Sequence, residues 1–465
     1  MGELSPLQAR LARRGAYNGA MQKPDPHATG EAPTALALLW SADAWKRRLA
    51  LWGGAVAVAL AAIVFAKLGD AAFGVFLTVS AASPYWALLL TPLTFGILAW
   101  ASQDKWTATR GSGIPQVIAS LGDAREDFHE AQLSLRISAS KMALTLVALL
   151  GGASVGREGP TVHVGAGIMR AFGRRLGYTD PYQTSRFLLA GGAAGIAAAF
   201  NTPLAGVVFA IEELSGAFEH RFSGTLLTAV IVGGVVSLGL VGHYTYFGHI
   251  AVARLPLGQG WLAVIACGAV CGVLGGLFAR IVVAAADGRP RWLGRARASH
   301  PKLFAASCGL LLAVLGIALG GSIFGTGYEQ ARALLEGSGG PGAEFGIAKF
   351  GANVVSYLAG IPGGLFSPAL AVGAGIGDNL GMLFPGVDPA AVVLLGMAAY
   401  LAGVTQAPLT SAVITMELTD NHMLLLPILA AVLIARACST LLCPMPIYKA
   451  LAQRLAPRMQ PVSAG

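Results

Sequence analysis

Four glutamates stand inside stretches that otherwise carry almost no charge: Glu158, Glu212, Glu213 and Glu417. The same stretches are broken by short runs of small residues that end in proline. These are Gly111-Ser112-Gly113-Ile114-Pro115, Gly156-Arg157-Glu158-Gly159-Pro160, Asn201-Thr202-Pro203, Gly364-Leu365-Phe366-Ser367-Pro368 and Gln406-Ala407-Pro408. Proline suits the first helical turn, where its missing N–H is not needed and its φ is already set. Glycine lets an ion come close to the backbone. A helix start offers unpaired N–H groups and about half a positive charge, so it holds an anion without a full cation. An anion held this way can also leave, which permeation requires. Glu158 falls in the first turn of such a start, where a carboxylate can occupy the anion position when charged and vacate it when protonated. Glu212 and Glu213 are neighbours on a helix and face different directions, so they need not share a role.

These groups must be carried by helices in a membrane. The 465 residues are 55% hydrophobic and only 12% charged, with a mean hydropathy of +0.64, whereas a soluble domain carries about 25% charged residues. The 62 glycines and 24 prolines sit largely inside apolar stretches, which membrane helices tolerate. Leu49–Leu68, Pro84–Ala101, Gly224–Val241, Trp261–Ala286, Leu303–Gly320 and Leu424–Leu442 read as spans, given about 20 residues per crossing. Trp40, Trp45, Trp52, Trp86, Trp100 and Trp106 mark an interfacial belt near the first two,. Shorter, interrupted blocks cannot cross alone and must line a cavity within the protein. Residues 1–45 read as a polar, proline-containing tail, 46–457 as the transport domain and 458–465 as a second tail.

Basic residues cluster in three places: Arg10 to Arg48, Arg289 to Lys302, and Lys449, Arg454 and Arg458. The positive-inside rule places all three, and both termini, in the cytoplasm of a multi-pass inner-membrane protein. Topology therefore accounts for the net charge of +9, and nucleic-acid binding is not implied. The cysteines Cys267, Cys271, Cys308, Cys438 and Cys443 lack the spacing of a metal site and read as packing residues,. About forty mostly polar residues precede the first long apolar run, which is not a signal-peptide pattern.

The sequence repeats itself. Residues 191–214 align without gaps to 396–419, and 159–168 to 367–376. The first alignment sets Glu212 opposite Glu417, a pairing that favours a structural role for both, and Glu213 opposite Leu418. The second sets Glu158 opposite Phe366. Duplicated broken helices are the mark of a transporter built from two related, often inverted halves, here 46–243 and 255–457.

The three motifs GSGIP, GREGP and GLFSP, in this order in an apolar chain with NTPLAGVVFAIEE and a late Pro-Ile-Tyr, resemble the CLC chloride channel and transporter family over roughly residues 45–457. The resemblance implies an all-α polytopic fold of two inverted halves of tilted and broken helices, assembled as a homodimer with one pathway per subunit. It implies that chloride is held by the Ser112 hydroxyl, the backbone amides of Leu365 and Phe366, and the Tyr448 hydroxyl. It further implies that Glu158 is the external gate and proton acceptor, and Glu213 the internal proton acceptor. No cofactor is implied; chloride and protons are the cargo. Three departures stand out. Gln116 replaces the family's usual glutamate after GSGIP. His163 follows GREGP, where a packed, hydrogen-bonded histidine is the simpler reading than a second proton carrier. The chain after Tyr448 is too short for the paired regulatory domains of many relatives. Ser112, rather than proline, speaks against nitrate preference, and Tyr448, rather than methionine, against the fluoride-exporting branch.

The function expected is chloride/proton antiport, with a passive chloride channel of the same fold as the alternative. A membrane enzyme using GSG or GREGP as a phosphate loop fails, because the chain lacks a Walker-type motif, a metal-ligand cluster and a spaced nucleophile–base pair.

Overall fold

The computed structural model describes residues 42–215, 224–242, 245–250 and 255–455. Among these, nineteen α-helices carry the fold and no β-strand forms. They are α1 (Ala42–Ala82), α2 (Ala87–Ala101), α3 (Ile114–Leu121), α4 (Glu126–Leu133), α5 (Leu135–Leu150), α6 (Glu158–Arg175), α7 (Pro181–Phe200), α8 (Pro203–Phe209) and α9 (Gly224–Val241). Then come α10 (Gln259–Ala286), α11 (Arg291–Ser299), α12 (Pro301–Ala318), α13 (Tyr328–Glu336), α14 (Phe345–Leu358), α15 (Phe366–Gly381), α16 (Pro389–Thr405), α17 (Pro408–Thr419), α18 (Leu425–Leu442) and α19 (Ile447–Leu455). Contacts divide the chain at Lys46/Arg47 into two units, and the second, Arg47–Gly465, holds all three motifs.

Among the described residues, seven helices or joined helices are long and apolar enough to cross a membrane. Six coincide with the expected spans, with two corrections. The first does not stop near Leu68 but continues to Ala82, past Lys67 and Asp70; Asp70 is tolerated because Arg157 pairs with it at 2.5 Å. A seventh, Glu126–Leu150, was not expected, since acidic Glu126, Asp127 and Glu130 disguise its start. Helicity already begins at Ala42, inside the segment read as a tail. The remainder of both tails, with Arg10, Trp40 and Arg458, lies outside the described residues.

The duplication is physical. Helices α6 and α7 cross where Gly165 and Gly191 meet so closely that a β-carbon on either would collide with the other's carbonyl oxygen. Their counterparts Gly373 and Gly396 make the same contact between α15 and α16. Small residues allow such close approach in membranes. Helix α7 ends in a left-handed Asn201 (φ 56°) and α16 in a left-handed Gln406 (φ 62°); each is followed by a proline-started helix.

Glu212 lies in the π-helical turn Ala210–Ser215 that continues α8, and accepts from the amides of Leu409 (3.2 Å) and Thr410 (2.7 Å) at the start of α17. Glu417, near the end of α17, accepts from Leu204 (3.2 Å) and Ala205 (2.6 Å) at the start of α8. Each helix end thus caps the other's start, so the two run antiparallel. Reciprocal contacts of this kind require a local two-fold axis, and antiparallel equivalents mean that the halves are inverted.

Candidate functional site

Backbone pairing brings the three motifs together. Gly111 donates from its N–H to the Ile361 carbonyl (3.2 Å), and Gly363 donates to the Gly111 carbonyl (3.2 Å). Gly156 and Gly364 exchange both bonds, at 2.7 and 2.6 Å. The loop before α15 is therefore stitched to the loop before α3 and to the loop before α6 by two isolated β-bridges. Gly113, at φ 94°, adopts a left-handed turn that only glycine enters freely,. It brings Ser112 to the start of α3, where the Ile114 amide donates to its hydroxyl oxygen at 3.3 Å. Gly159 packs on Ser112, and a β-carbon there would lie 2.9 Å from the Ser112 carbonyl.

The expected residues converge on this junction. Ser112, Glu158, Leu365, Phe366 and Tyr448 are all buried. Leu365 caps α15 and Phe366 opens it. The Phe366 ring stacks on Tyr448 at 6.3 Å and 17° and meets Phe200 and Phe209 edge-on. This aromatic box fixes where the Tyr448 hydroxyl lies, which is close to Ser112. Glu158 accepts a 2.5 Å bond from the Ser367 hydroxyl through one oxygen, while its other oxygen has no partner. Tyr448 feels the charges of both Glu158 and Glu213. Glu213 sits in a π-helical turn, Ala210–Ser215, that extends α8; such turns are frequent at functional sites.

The cations nearby are tied down. Arg157 donates to Asp70 (2.5 Å) and to the Ala66 carbonyl (2.7 Å) on α1. Lys141 is wholly buried and donates to the carbonyls of Arg110 (3.3 Å) and Gly111 (3.4 Å) behind the start of α3. The Gln116 amide nitrogen donates to the Ala108 (3.1 Å) and Arg110 (2.9 Å) carbonyls. An ionised glutamate could not make these bonds, since it only accepts. His163 is buried with Nε2 on the Gln132 carbonyl at 2.8 Å, as a packing histidine would be. Among the described residues no group of side chains could hold a metal.

A cavity of about 540 Å³ leads to Ser112. Its wall includes Arg110, Gln116, Arg297, Tyr357 and Arg454. Arg454 is neutralised by Asp287 at 2.7 Å. Arg110 and Arg297 make no ion pair among the described residues and are close enough for their charges to interact. The cavity wall therefore combines positive charge with the hydroxyls of Ser112 and Tyr357.

The profile of the family described as voltage-gated chloride channel matches residues 95–440. The chain belongs to that family. The H+/Cl− exchange transporter ClcA of Yersinia pestis bv. Antiqua (strain Angola) is 32% identical over 399 residues, covering 81% of this chain and 80% of that one. A slow cyanobacterial Cl−/H+ antiporter of known structure superposes with a TM-score of 0.76 at 23% identity, over 89% of this chain and 99% of the other, and shares the fold. A eukaryotic CLC transporter gives 0.72 at 25% identity, over 88% and 74%.

Within this fold, sequence reasoning missed three features. The buried Lys141 and its counterpart Lys349, on the carbonyls of Ile323 (2.8 Å) and Gly325 (2.7 Å), were not singled out. Nor was the degenerate copy of GSGIP at Gly325-Thr326-Gly327-Tyr328. There the Tyr328 amide donates to the Thr326 hydroxyl at 3.3 Å, as Ile114 does to Ser112. The paired lysines, each inside an apolar run, were the available signal. Tyr357 was the third omission.

Proposed function

We propose that this chain exchanges chloride for protons across the bacterial inner membrane, with residues 46–457 as the transport domain. Its curated relative in Yersinia is named as an H+/Cl− exchange transporter. The observation that carries the reading is Glu158: a buried carboxylate at a helix start, bonded to Ser367 of the opposing motif and free at its second oxygen. Chloride is held by the Ser112 and Tyr448 hydroxyls and the Leu365 and Phe366 amides, neutral donors that bind without trapping. The remaining residues of GSGIP, GREGP and GLFSP shape the filter. Protonation of Glu158 removes a competing negative charge from the chloride path, which links the two ions. Glu213 supplies protons from the cavity side, with Tyr448 in the field of both carboxylates.

The Asp287–Arg454 pair sets the C-terminal helix beside the basic α10–α11 turn. Positive-inside orientation then makes that face, the cavity mouth and both termini cytoplasmic. The working unit is a homodimer in the lipid bilayer, each subunit carrying its own pathway, with no cofactor.

Purified protein in liposomes tests this: an outward chloride gradient should drive uphill proton uptake in fixed proportion. Chloride flux with no proton flux selects the passive channel that the family description also accommodates. Reversal potentials in planar bilayers separate the two, because only an exchanger's moves with pH.

A further inference from the structure

Tyr357 lies on α14, eight residues before Leu365, and nothing in the motifs marks it. Its ring packs edge-on against Phe278 of α10, with centroids 5.9 Å apart at 71°, so the phenol is held in one place. Its hydroxyl is buried without a well-formed hydrogen bond and lies beside Ser112, which lines the same cavity. Ser112 is thus flanked by two phenols from different elements, Tyr448 of α19 and Tyr357 of α14. Unlike Tyr448, Tyr357 also forms part of the cavity wall that carries Arg110 and Arg297.

A buried hydroxyl without a partner is unfavourable, and phenylalanine would fill the same space without that cost. Tyr400 also carries a buried, unpartnered hydroxyl. What distinguishes Tyr357 is its position: beside the start of α3, in the wall of a cavity that also carries Arg110 and Arg297. There a small anion supplies the missing acceptor. Its bond to an O–H stays neutral on the protein side and so remains reversible.

We propose that Tyr357 is a further chloride-coordinating residue, donating a second phenol hydroxyl at Ser112 on the cavity side and favouring small, strongly hydrated anions over large ones. This rests on the reading of Ser112 as a chloride ligand. Each added O–H donor compensates dehydration of a compact ion more than that of a diffuse one such as thiocyanate, so the number of donors sets selectivity.

The test compares wild type, Tyr357→Phe and Tyr400→Phe in calorimetric chloride titrations and in liposome fluxes of chloride against thiocyanate. Tyr357→Phe should weaken chloride binding by about ten-fold or more, as loss of a hydrogen bond to an ion does. It should also raise the thiocyanate-to-chloride flux ratio, while Tyr400→Phe changes neither. Unchanged affinity and ratio in Tyr357→Phe would overturn the proposal and leave Tyr357 as packing. If wild type itself neither binds nor moves chloride, the reading of the whole site falls first. Should Tyr357→Phe fail to fold, bromide soaked into wild-type crystals decides: a bromide within hydrogen-bonding distance of the Tyr357 hydroxyl supports it, and bromide bound only elsewhere refutes it.

Discussion

At Glu158 a buried carboxylate opens α6, and Ser367 holds it with a single 2.5 Å bond. Replacing it with alanine should abolish proton coupling while chloride continues to flow, measured as paired fluxes from liposomes. Glu213→Gln should also stop proton movement but leave the Glu158 gate closed to free chloride leak; a folded variant without chloride transport would instead make Glu213 structural. Most of this was legible in the residues, because a glutamate in an apolar run is costly, about 2.5–3.5 kcal/mol at a helix centre, and so stands out. Tyr357 was not legible: an aromatic in an apolar helix looks like packing until the fold sets its hydroxyl beside Ser112. The Gln116 substitution was visible, but its meaning was not. Only the structure reveals that its amide and Lys141 both donate to the Arg110 carbonyl.

At the scale of helices, Glu212 and Glu417 act as exchanged caps. Hydrogen bonds to a charged group contribute about 1.5–3 kcal/mol. Glu212→Ala or Glu417→Ala should therefore lower the melting temperature in detergent by several degrees while leaving chloride affinity as in wild type. Gly165→Ala or Gly373→Ala should be worse, because the facing backbone leaves no room for a methyl group. The repeat that relates these positions was readable where residue identities survive, around Pro203/Pro408 and Gly165/Gly373. It was not readable at Gly111/Gly325, where only the glycines and a hydroxyl remain and backbone conformation alone carries the likeness: φ is 64° and 94° in one copy, 63° and 79° in the other.

Across the whole molecule, composition settled the membrane class and hydropathy settled six of the seven spans. The seventh, Glu126–Leu150, was hidden because its acidic start is satisfied by Arg170 and Arg174 of α6, a separate helix that follows only after the GREGP interruption. A ligand at the centre of the molecule must also stabilise it. Chloride at a hundred times its dissociation constant adds about 2.7 kcal/mol, so the melting temperature should rise with chloride. In Ser112→Ala the rise should require more salt.

The two backbone bridges have a mechanical consequence. In many inverted-repeat transporters one half rocks against the other around a fixed site. Here Gly111 and Gly156 of the first half are bonded to Ile361, Gly363 and Gly364 of the second by four backbone hydrogen bonds at the site itself. Rocking would shear all four at once and pull Glu212 and Glu417 from their partners. Opening the substrate path by tilting the halves apart would cost all of these bonds, whereas the swing of a single side chain costs none of them.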